Sequence, residues 1–169
     1  NWVFDQKIVV LIKPFSILQS SLHYVWALAF GSTMGATTLN YTPTDCVETF
    51  PLPRIISESL KNLGGEYYDF RSQLMQTRQE GLTKLYNRFH NPEEADEDIL
   101  KFRDLQIQLD NMVALAYGFE KIDLAHGFHE TKQGIRFTIS NEARRQVLGQ
   151  LLKLNLERYD EEKRQEALF

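Results

Sequence analysis

The chain has 169 residues, of which 43% are apolar and 25% are charged. This composition is ordinary for a globular protein with its own core. The net charge of −4 argues against a surface that binds nucleic acid throughout, and the single cysteine excludes an internal disulfide. The apolar stretches are too short to span a membrane and no secretory signal is visible, so we expect a cytoplasmic protein.

The sequence begins at Asn1 with WVFDQKIVVLI, whose Val and Ile residues predict a strand over 2–12. Because this opening is typical of the middle of a fold, we expect a piece cut from a longer chain, with a processed whole protein as the alternative. Pro14 suits a first helical position, and a helix is predicted over 14–30. Its apolar residues are spaced by three and four: Phe15, Leu18, Leu22, Trp26 and Ala29.

A second helix is predicted over 54–79, after the boundary that PLP forms at 51–53. Gly64 and Gly65 interrupt its apolar stripe, and their small size suits the close approach of another backbone. After Gly81 a short helix of different phase is predicted, with three inward residues: Leu82, Leu85 and Phe89.

Two further long helices are predicted, over 92–117 and 140–162, with a small hairpin between them around GIRFTI. Asn91 and Ser140 are the expected N-caps, and Gly118 is expected to end the first of these helices. The predicted fold class is therefore α+β, predominantly α. It comprises a helical C-terminal body, a few short strands at the N-terminal end and one hairpin.

Motifs for catalysis are missing from the sequence, which has no glycine-rich nucleotide loop, no GxSxG and no HExxH. HGFH at 126–129 lacks further ligands at convincing spacing, so a turn with two exposed histidines is predicted and not a metal site. His23 is expected to be half-buried and hydrogen-bonded, and Cys46 to be structural. The acidic run at 93–98 is expected to be a solvated helix N-terminus. No catalytic residue and no metal ligand is assigned.

Two polar segments suggest nucleic-acid contact, although an ordinary loop and an ordinary helix end are the simpler interpretation. The loop TMGATTLNYT at 33–42 carries short hydrogen-bonding side chains on a glycine-containing backbone. Polar and basic side chains also crowd the next short helix: Lys84, Asn87, Arg88 and His90. Residues 54–90 hold six Lys/Arg and four acids, whereas residues 91–120 hold two and eight, so one face could meet phosphate.

Several blocks of the sequence resemble large single-chain DNA methyltransferases of type II restriction–modification systems. LQSSLHYVWA (18–27), GS (31–32) and YTPTDCVETFPLP (41–53) resemble the end of their target-recognition domain. EGLTKLYNRFHNPEE, FRDLQIQLDNMVALAYGFEKIDL, RFTIS and LLKLNLERYDEEK resemble, in that order, the helical segment that closes those proteins. Val47 stands where the family usually has an aromatic residue, and Phe119 where it commonly has Trp.

The resemblance implies that residues 1–53 end a target-recognition domain and that residues 54–169 form the helical closing segment of an adenine-specific enzyme. The parent chain would use S-adenosylmethionine and act on double-stranded DNA. This chain has neither Asn-Pro-Pro-Tyr nor the glycine-containing strand–turn that holds the cofactor, so we expect it to be non-catalytic and to bind no cofactor itself. The candidate DNA contacts are Thr37, Thr38, Asn40, Tyr41, Thr42, Lys84, Asn87 and Arg88.

Two other interpretations are open. The chain could be a helical protein–protein module that docks on the methyltransferase domain or on a partner subunit, without touching DNA, and the acidic net charge favours this alternative. It could also be an enzyme in its own right, although no motif in the sequence supports this interpretation. Salt-dependent DNA binding would distinguish recognition from docking.

Overall fold

The computed structural model describes residues 15–34 and 38–167, and the strand predicted over 2–12 lies outside them. The fold class is α+β and predominantly α, as predicted, with six α-helices and two small antiparallel strand pairs in the described ranges. The helices are α1 (Phe15–Leu18), α2 (Ser21–Phe30), α3 (Glu58–Arg78), α4 (Leu82–Phe89), α5 (Glu97–Ala116) and α6 (Asn141–Glu166). None of these helices combines the length and hydrophobicity that crossing a bilayer requires.

The helix predicted over 14–30 is in fact two helices, because Ser20 turns the chain between them. The Ser20 hydroxyl donates to the carbonyl of Ile17 at 2.6 Å, and its Oγ accepts the amide of His23 at 3.2 Å. The same side chain therefore closes α1 and caps α2. The apolar spacing, which continues across the break, gave no sign of it.

Helix α3 confirms the predicted close approach at one of its two glycines. A Cβ on Gly64 would lie 2.6 Å from Cβ of Ser16, whereas a Cβ on Gly65 would meet nothing within 4 Å. Helix α1 thus crosses α3 at Gly64. The short helix α4 also forms as predicted and buries Leu85 and Phe89, but Leu82 is 49% exposed and does not pack inward.

Helix α5 begins five residues later than predicted and occupies the centre of the body. Asn91 does not cap it; its Oδ1 accepts the amide of Glu93 at 3.1 Å in a local turn, and Asp96 stands at the N-cap. The helix ends as predicted before Gly118, which has φ of +74°. Its buried apolar residues contribute to the core along its whole length: Ile99, Phe102, Leu105, Leu109 and Val113.

The predicted hairpin is confirmed as β3 (Gly127–Thr131) paired with β4 (Gly134–Thr138). Lys132 and Gln133 form its turn. Ser140 then caps α6 by accepting the amide of Ala143 at 3.1 Å, as predicted. A second strand pair, β1 (Ser32–Met34) with β2 (Thr38–Asn40), precedes a π-helical turn at Thr44–Glu48.

A single hydrophobic core joins the two segments that the sequence divides at residue 53. Ile17, Leu22, Trp26 and Phe50 from the first segment belong to the same buried cluster as α3, α5 and the start of α6. Whether residues 1–53 and 54–169 belong to separate domains of a longer protein stays a prediction. Within the described ranges, they are packed as one body.

Candidate functional site

The predicted DNA contacts on the first polar segment are partly held by bonds within the chain. Thr37 lies outside the described residues, and Thr38 pairs with Met34 in the β1–β2 register. Asn40 Nδ2 donates to Ser32 Oγ at 2.9 Å across the same strand pair. This contact fixes the Asn40 amide and leaves its carbonyl oxygen as an acceptor.

Tyr41 and Thr42 bond toward the body of the protein. The Tyr41 hydroxyl lies 2.7 Å from Nε2 of His23, which is 2% exposed, more deeply buried than expected. Burial lowers the pKa of His23 to about 4, so its ring is neutral at pH 7. Thr42 donates to Oδ2 of Asp45 at 2.6 Å and so stabilises the start of the π-helical turn.

On α4, Lys84 and Asn87 are exposed, whereas Arg88 is engaged by carboxylates. Its guanidinium lies 2.7 Å from Glu94, 2.6 Å from Asp96 and 3.6 Å from Glu80. A hydrogen bond to Glu94 is the main cause that raises the pKa of Arg88. Contact between Arg88 and phosphate stays a prediction, but it would require exchange of these partners.

The acidic run after α4 is therefore more than the solvated helix N-terminus that the sequence suggested. Besides Arg88, it engages Arg78 at the end of α3, which pairs with Asp96 at 2.8 Å and also with Asp98. Hydrogen bonds from Arg78 are the main cause that lowers the pKa of both Asp96 and Asp98. This cluster ties the ends of α3 and α4 to the start of α5.

Arg103, which the sequence did not reveal, also binds the connection between α4 and α5. It is 6% exposed and donates to four backbone carbonyls at 2.8–3.2 Å: those of Arg88, Phe89, Asn91 and Glu94. Two of these carbonyls end α4, where a cation is favourable. The stretch HNPEEAD (90–96) is thus a loop between α4 and α5 that Arg78, Arg88 and Arg103 hold in place.

A buried carboxylate, Asp110, joins three distant parts of the chain. It is 0% exposed and accepts the amide of Ser21 at 2.7 Å and Nε2 of Gln106 at 3.0 Å. Its second oxygen lies 2.9 Å from Nε2 of His126, whose side chain is 7% exposed. The prediction that HGFH is a turn with two exposed histidines is wrong, because Gly127–Thr131 form a strand, His126 bonds to Asp110 and His129 is only partly exposed. In the described ranges, no group of His, Cys, Asp and Glu side chains has the arrangement of a metal site.

A cleft of about 890 Å³ opens where the α1–α2 junction, α4, the β3–β4 hairpin and the start of α6 converge. Its size falls in the range of roughly 300–1,000 Å³ that small-molecule sites occupy. Aromatic side chains form much of the lining: Tyr24, Tyr67, Tyr86, Phe89 and Phe137. Tyr24 also spans from α2 to the hairpin, donating to Oε1 of Gln133 at 3.0 Å.

Basic side chains contribute the charge of this cleft. Lys132, Arg136 and Arg144 line it, with Glu130 as the one acidic residue among the described lining. His90 lies beside them, and its Nδ1 accepts the amide of Phe137 at 3.2 Å, which places the ring proton on Nε2. Burial, and then the charges of Arg136 and Arg103, lower the pKa of His90 to about 4.

Comparison with known proteins gives no match: no protein family, no curated protein and no solved structure is significantly similar to this chain. The functional interpretation therefore depends on the residues and their geometry.

Proposed function

We propose that this chain is the end of the target-recognition domain and the helical closing segment of an adenine-specific restriction–modification DNA methyltransferase. It supports DNA recognition and is not itself catalytic. S-adenosylmethionine would bind elsewhere in the parent protein, and double-stranded DNA would be the partner.

The observation that carries the proposal is that the blocks with the family resemblance hold one another in place. Three polar contacts join blocks far apart in sequence: Ser21 with Asp110 at 2.7 Å, Trp26 with Thr49 at 3.1 Å, and Phe137 with His90 at 3.2 Å. A polar group that folding withdraws from water needs a hydrogen-bond partner, because leaving it unpaired lowers the stability of the folded state. The resemblance therefore covers residues that determine architecture, which favours a common fold over a similarity of composition.

Within this proposal, the two polar segments have different roles on DNA. Thr38 and Asn40 belong to a paired strand, and the short side chain of Asn40, fixed by Ser32, can contact base edges. Lys84 is exposed, and no carboxylate pairs with it in the described ranges, so it is the better candidate for phosphate than Arg88. Phosphate contacts position the protein on DNA, and base contacts specify the sequence.

The test is to express the complete gene in a host without adenine methylation and to map N6-methyladenine. We expect one methylated sequence motif, a changed or degenerate motif for Asn40→Ala, and weaker methylation of the same motif for Lys84→Ala. Gln108→Ala, on the exposed face of α5, is the control that should leave the motif intact. Absence of adenine methylation in the wild type would refute the proposal.

One observation favours docking as a second candidate function. Leu152, Leu156 and Tyr159 form an exposed stripe at helical spacing on α6, with exposures of 36%, 61% and 52%. Such a stripe suits the interface with the methyltransferase domain of the parent chain. Leu156→Asp should then weaken association with that domain, expressed separately. The control is Leu115→Asp on α5, since Leu115 is also 61% exposed. Equal effects of the two variants would contradict docking through this stripe.

A further inference from the structure

The basic residues of the cleft have no acidic partners in the described ranges. None of the ion pairs there involves Lys132, Arg136 or Arg144. Four other arginines, by contrast, pair with carboxylates: Arg54, Arg78, Arg88 and Arg145. Arg103 satisfies its guanidinium with four carbonyls. The cleft thus contains three cations that form no ion pair in the described ranges, beside the single carboxylate of Glu130.

Arg144 is the most informative of these cations. It is half-buried at the start of α6, and in the described ranges the one hydrogen bond of its side chain goes to Oδ1 of Asn141 at 3.2 Å. Burial lowers the pKa of Arg144, which means that the charged form is partly desolvated without an ionic partner. An anion that enters the cleft would restore favourable electrostatics at this position.

Arg136 and His90 are a pair of donors that both line the cleft. The charge of Arg136 also contributes to the lowered pKa of His90. Because Nδ1 of His90 is occupied by the amide of Phe137, Nε2–H is the donor that remains. A neutral imidazole beside a guanidinium suits the binding of an oxyanion. The ring can donate a hydrogen bond to the anion without adding a positive charge that would repel Arg136.

The remaining wall is aromatic and amphipathic. Tyr24 is 41% exposed, and Tyr86 is anchored through its hydroxyl, 3.1 Å from that of Tyr67. Phe137 packs against Phe89 with the rings perpendicular at 5.4 Å. Anchored rings beside cations are the combination that binds bases by stacking and phosphates by charge.

We propose that this cleft binds a nucleotide, with its phosphate at Arg136 and Arg144 and its base against Tyr24 and Tyr86. A free mononucleotide and an unpaired nucleotide of a single strand share this chemistry. The inference goes beyond the proposed role in DNA recognition and does not depend on it, because it concerns a cleft on this chain alone.

The test is isothermal titration of the 169-residue chain with dAMP, deoxyadenosine and inorganic phosphate. We expect dAMP to bind with a Kd below about 1 mM, and each of the other two at least about tenfold more weakly, because each engages half of the site. Binding of phosphate as tight as that of dAMP would overturn the base-binding half of the proposal. Binding of deoxyadenosine as tight as that of dAMP would overturn the phosphate half.

Two arginine variants and one control test the assignment. Arg136→Gln and Arg144→Gln should each weaken dAMP binding by about tenfold or more. Arg145→Gln should not, because the neighbouring Arg145 is exposed, pairs with Glu142 and does not line the cleft. Circular dichroism should show that all three variants are folded. Equal affinity of Arg144→Gln and Arg145→Gln would overturn the assignment.

The source of the nucleotide is distinguished by two further ligands, a dA-rich single-stranded 12-mer and the corresponding duplex. Tighter binding of the single strand than of dAMP, lost in Arg144→Gln, would assign the cleft to an unpaired strand. Binding of dAMP alone would assign it to a free nucleotide. No binding of dAMP or of the single strand at millimolar concentration would overturn the proposal, even if the parent enzyme methylates DNA.

Discussion

Arg103 shows how one residue determines the shape of a whole segment. Its guanidinium supplies donors to four carbonyls around the α4–α5 connection, where regular helical bonding is interrupted. We expect Arg103→Met to lower the free energy of unfolding by about 3 kcal/mol, because these buried acceptors lose charged donors. Urea unfolding would measure the loss.

The matched replacement is Arg103→Lys, which keeps the charge. A lysine ammonium cannot reproduce the planar fork, so we expect Arg103→Lys to recover less than half of the stability. Arg145→Gln, at an exposed ion pair, should change it by less than about 1 kcal/mol. Wild-type stability in Arg103→Lys would show that charge alone matters at this position.

Because the pKa values of His23 and His90 are lowered, we expect the stability of the chain to depend on pH. The pKa values of His23 and His90 are about 4 in the folded chain, below the ordinary value of 6.5, so between these values only the unfolded chain binds the proton. Stability should therefore be complete above pH 6.5 and should fall as the pH drops toward 4. The expected loss is on the order of 1–3 kcal/mol per histidine.

Urea midpoints between pH 7 and pH 4.5 would measure this dependence. Replacement of either ring, in His23→Gln or His90→Gln, should flatten the curve in part, and the double variant should flatten it further. The carboxylates paired with Arg78 and Arg88 have lowered pKa values, so their contribution is lost only at more acidic pH. A full pH slope in the double variant would contradict the histidine assignment.

The sequence predicted some of these residues better than others. His23 was expected to be hydrogen-bonded, and its Nε2 is, at the Tyr41 hydroxyl, whereas its buried Nδ1 has no partner in the described ranges. Arg103 was not identified, because its partners are backbone carbonyls and carbonyls have no sequence signature. The ion pairs of Arg78 and Arg88 were missed for a related reason: the acids that neutralise them follow in a different element.

At the scale of elements, the crossing of α1 and α3 implies opposite effects on stability for alanine substitutions at two adjacent glycines. Gly64→Ala should destabilise the protein by about 1–3 kcal/mol, because the new Cβ would meet Ser16 at 2.6 Å. Gly65→Ala should stabilise it by up to about 1 kcal/mol, because its Cβ meets nothing within 4 Å and alanine favours the helix. Thermal unfolding of both variants would measure these effects, and equal shifts of the two melting temperatures would contradict the close approach of α1 at Gly64.

The elements that were predicted correctly are those in which the apolar periodicity and the capping or turn residues indicate the same boundaries. Ser140 caps helix α6 and the hairpin turns before Gly134 because local capping and turn chemistry coincide with the apolar pattern. The break at Ser20 has a local cause, since its side chain bonds to Ile17 and His23, but the apolar spacing that continues across it gave no sign of it. The start of α5 at Asp96 involves ion pairs with Arg78 and Arg88 that form only in three dimensions. There, local propensity permitted a longer helix and tertiary structure overruled it.

At the scale of the molecule, the cleft could not be predicted because no single segment encodes it. Its described lining runs from Leu18 to Arg144 and takes residues from the α1–α2 junction, α4, the hairpin and α6. Each contribution is unremarkable alone: a tyrosine on a helix, a histidine at a helix end, an arginine on a strand. Their chemistry becomes specific only when the core brings them together.

The shared core also bears on the boundary at residue 53. If residues 54–169 were an independent domain, they would fold without the preceding segment. In the structure, however, Trp26 is 1% exposed, Ile17 and Leu22 are 0% exposed, and all three belong to the cluster that α3 and α5 complete. Their removal would expose the apolar faces of those helices, at a cost of roughly 1.5–3 kcal/mol for each large side chain that loses its cover.

Three such losses, roughly 4.5–9 kcal/mol together, are comparable with the usual stability of a domain, about 5–15 kcal/mol. We therefore expect a chain of residues 54–169 to keep helical far-ultraviolet dichroism but to lose near-ultraviolet dichroism and a sharp urea transition. The 169-residue chain is the control and should unfold cooperatively. A sharp transition in the shortened chain would instead establish the helical segment as a separate domain. The contacts of Ile17, Leu22 and Trp26 would then be an interface between domains.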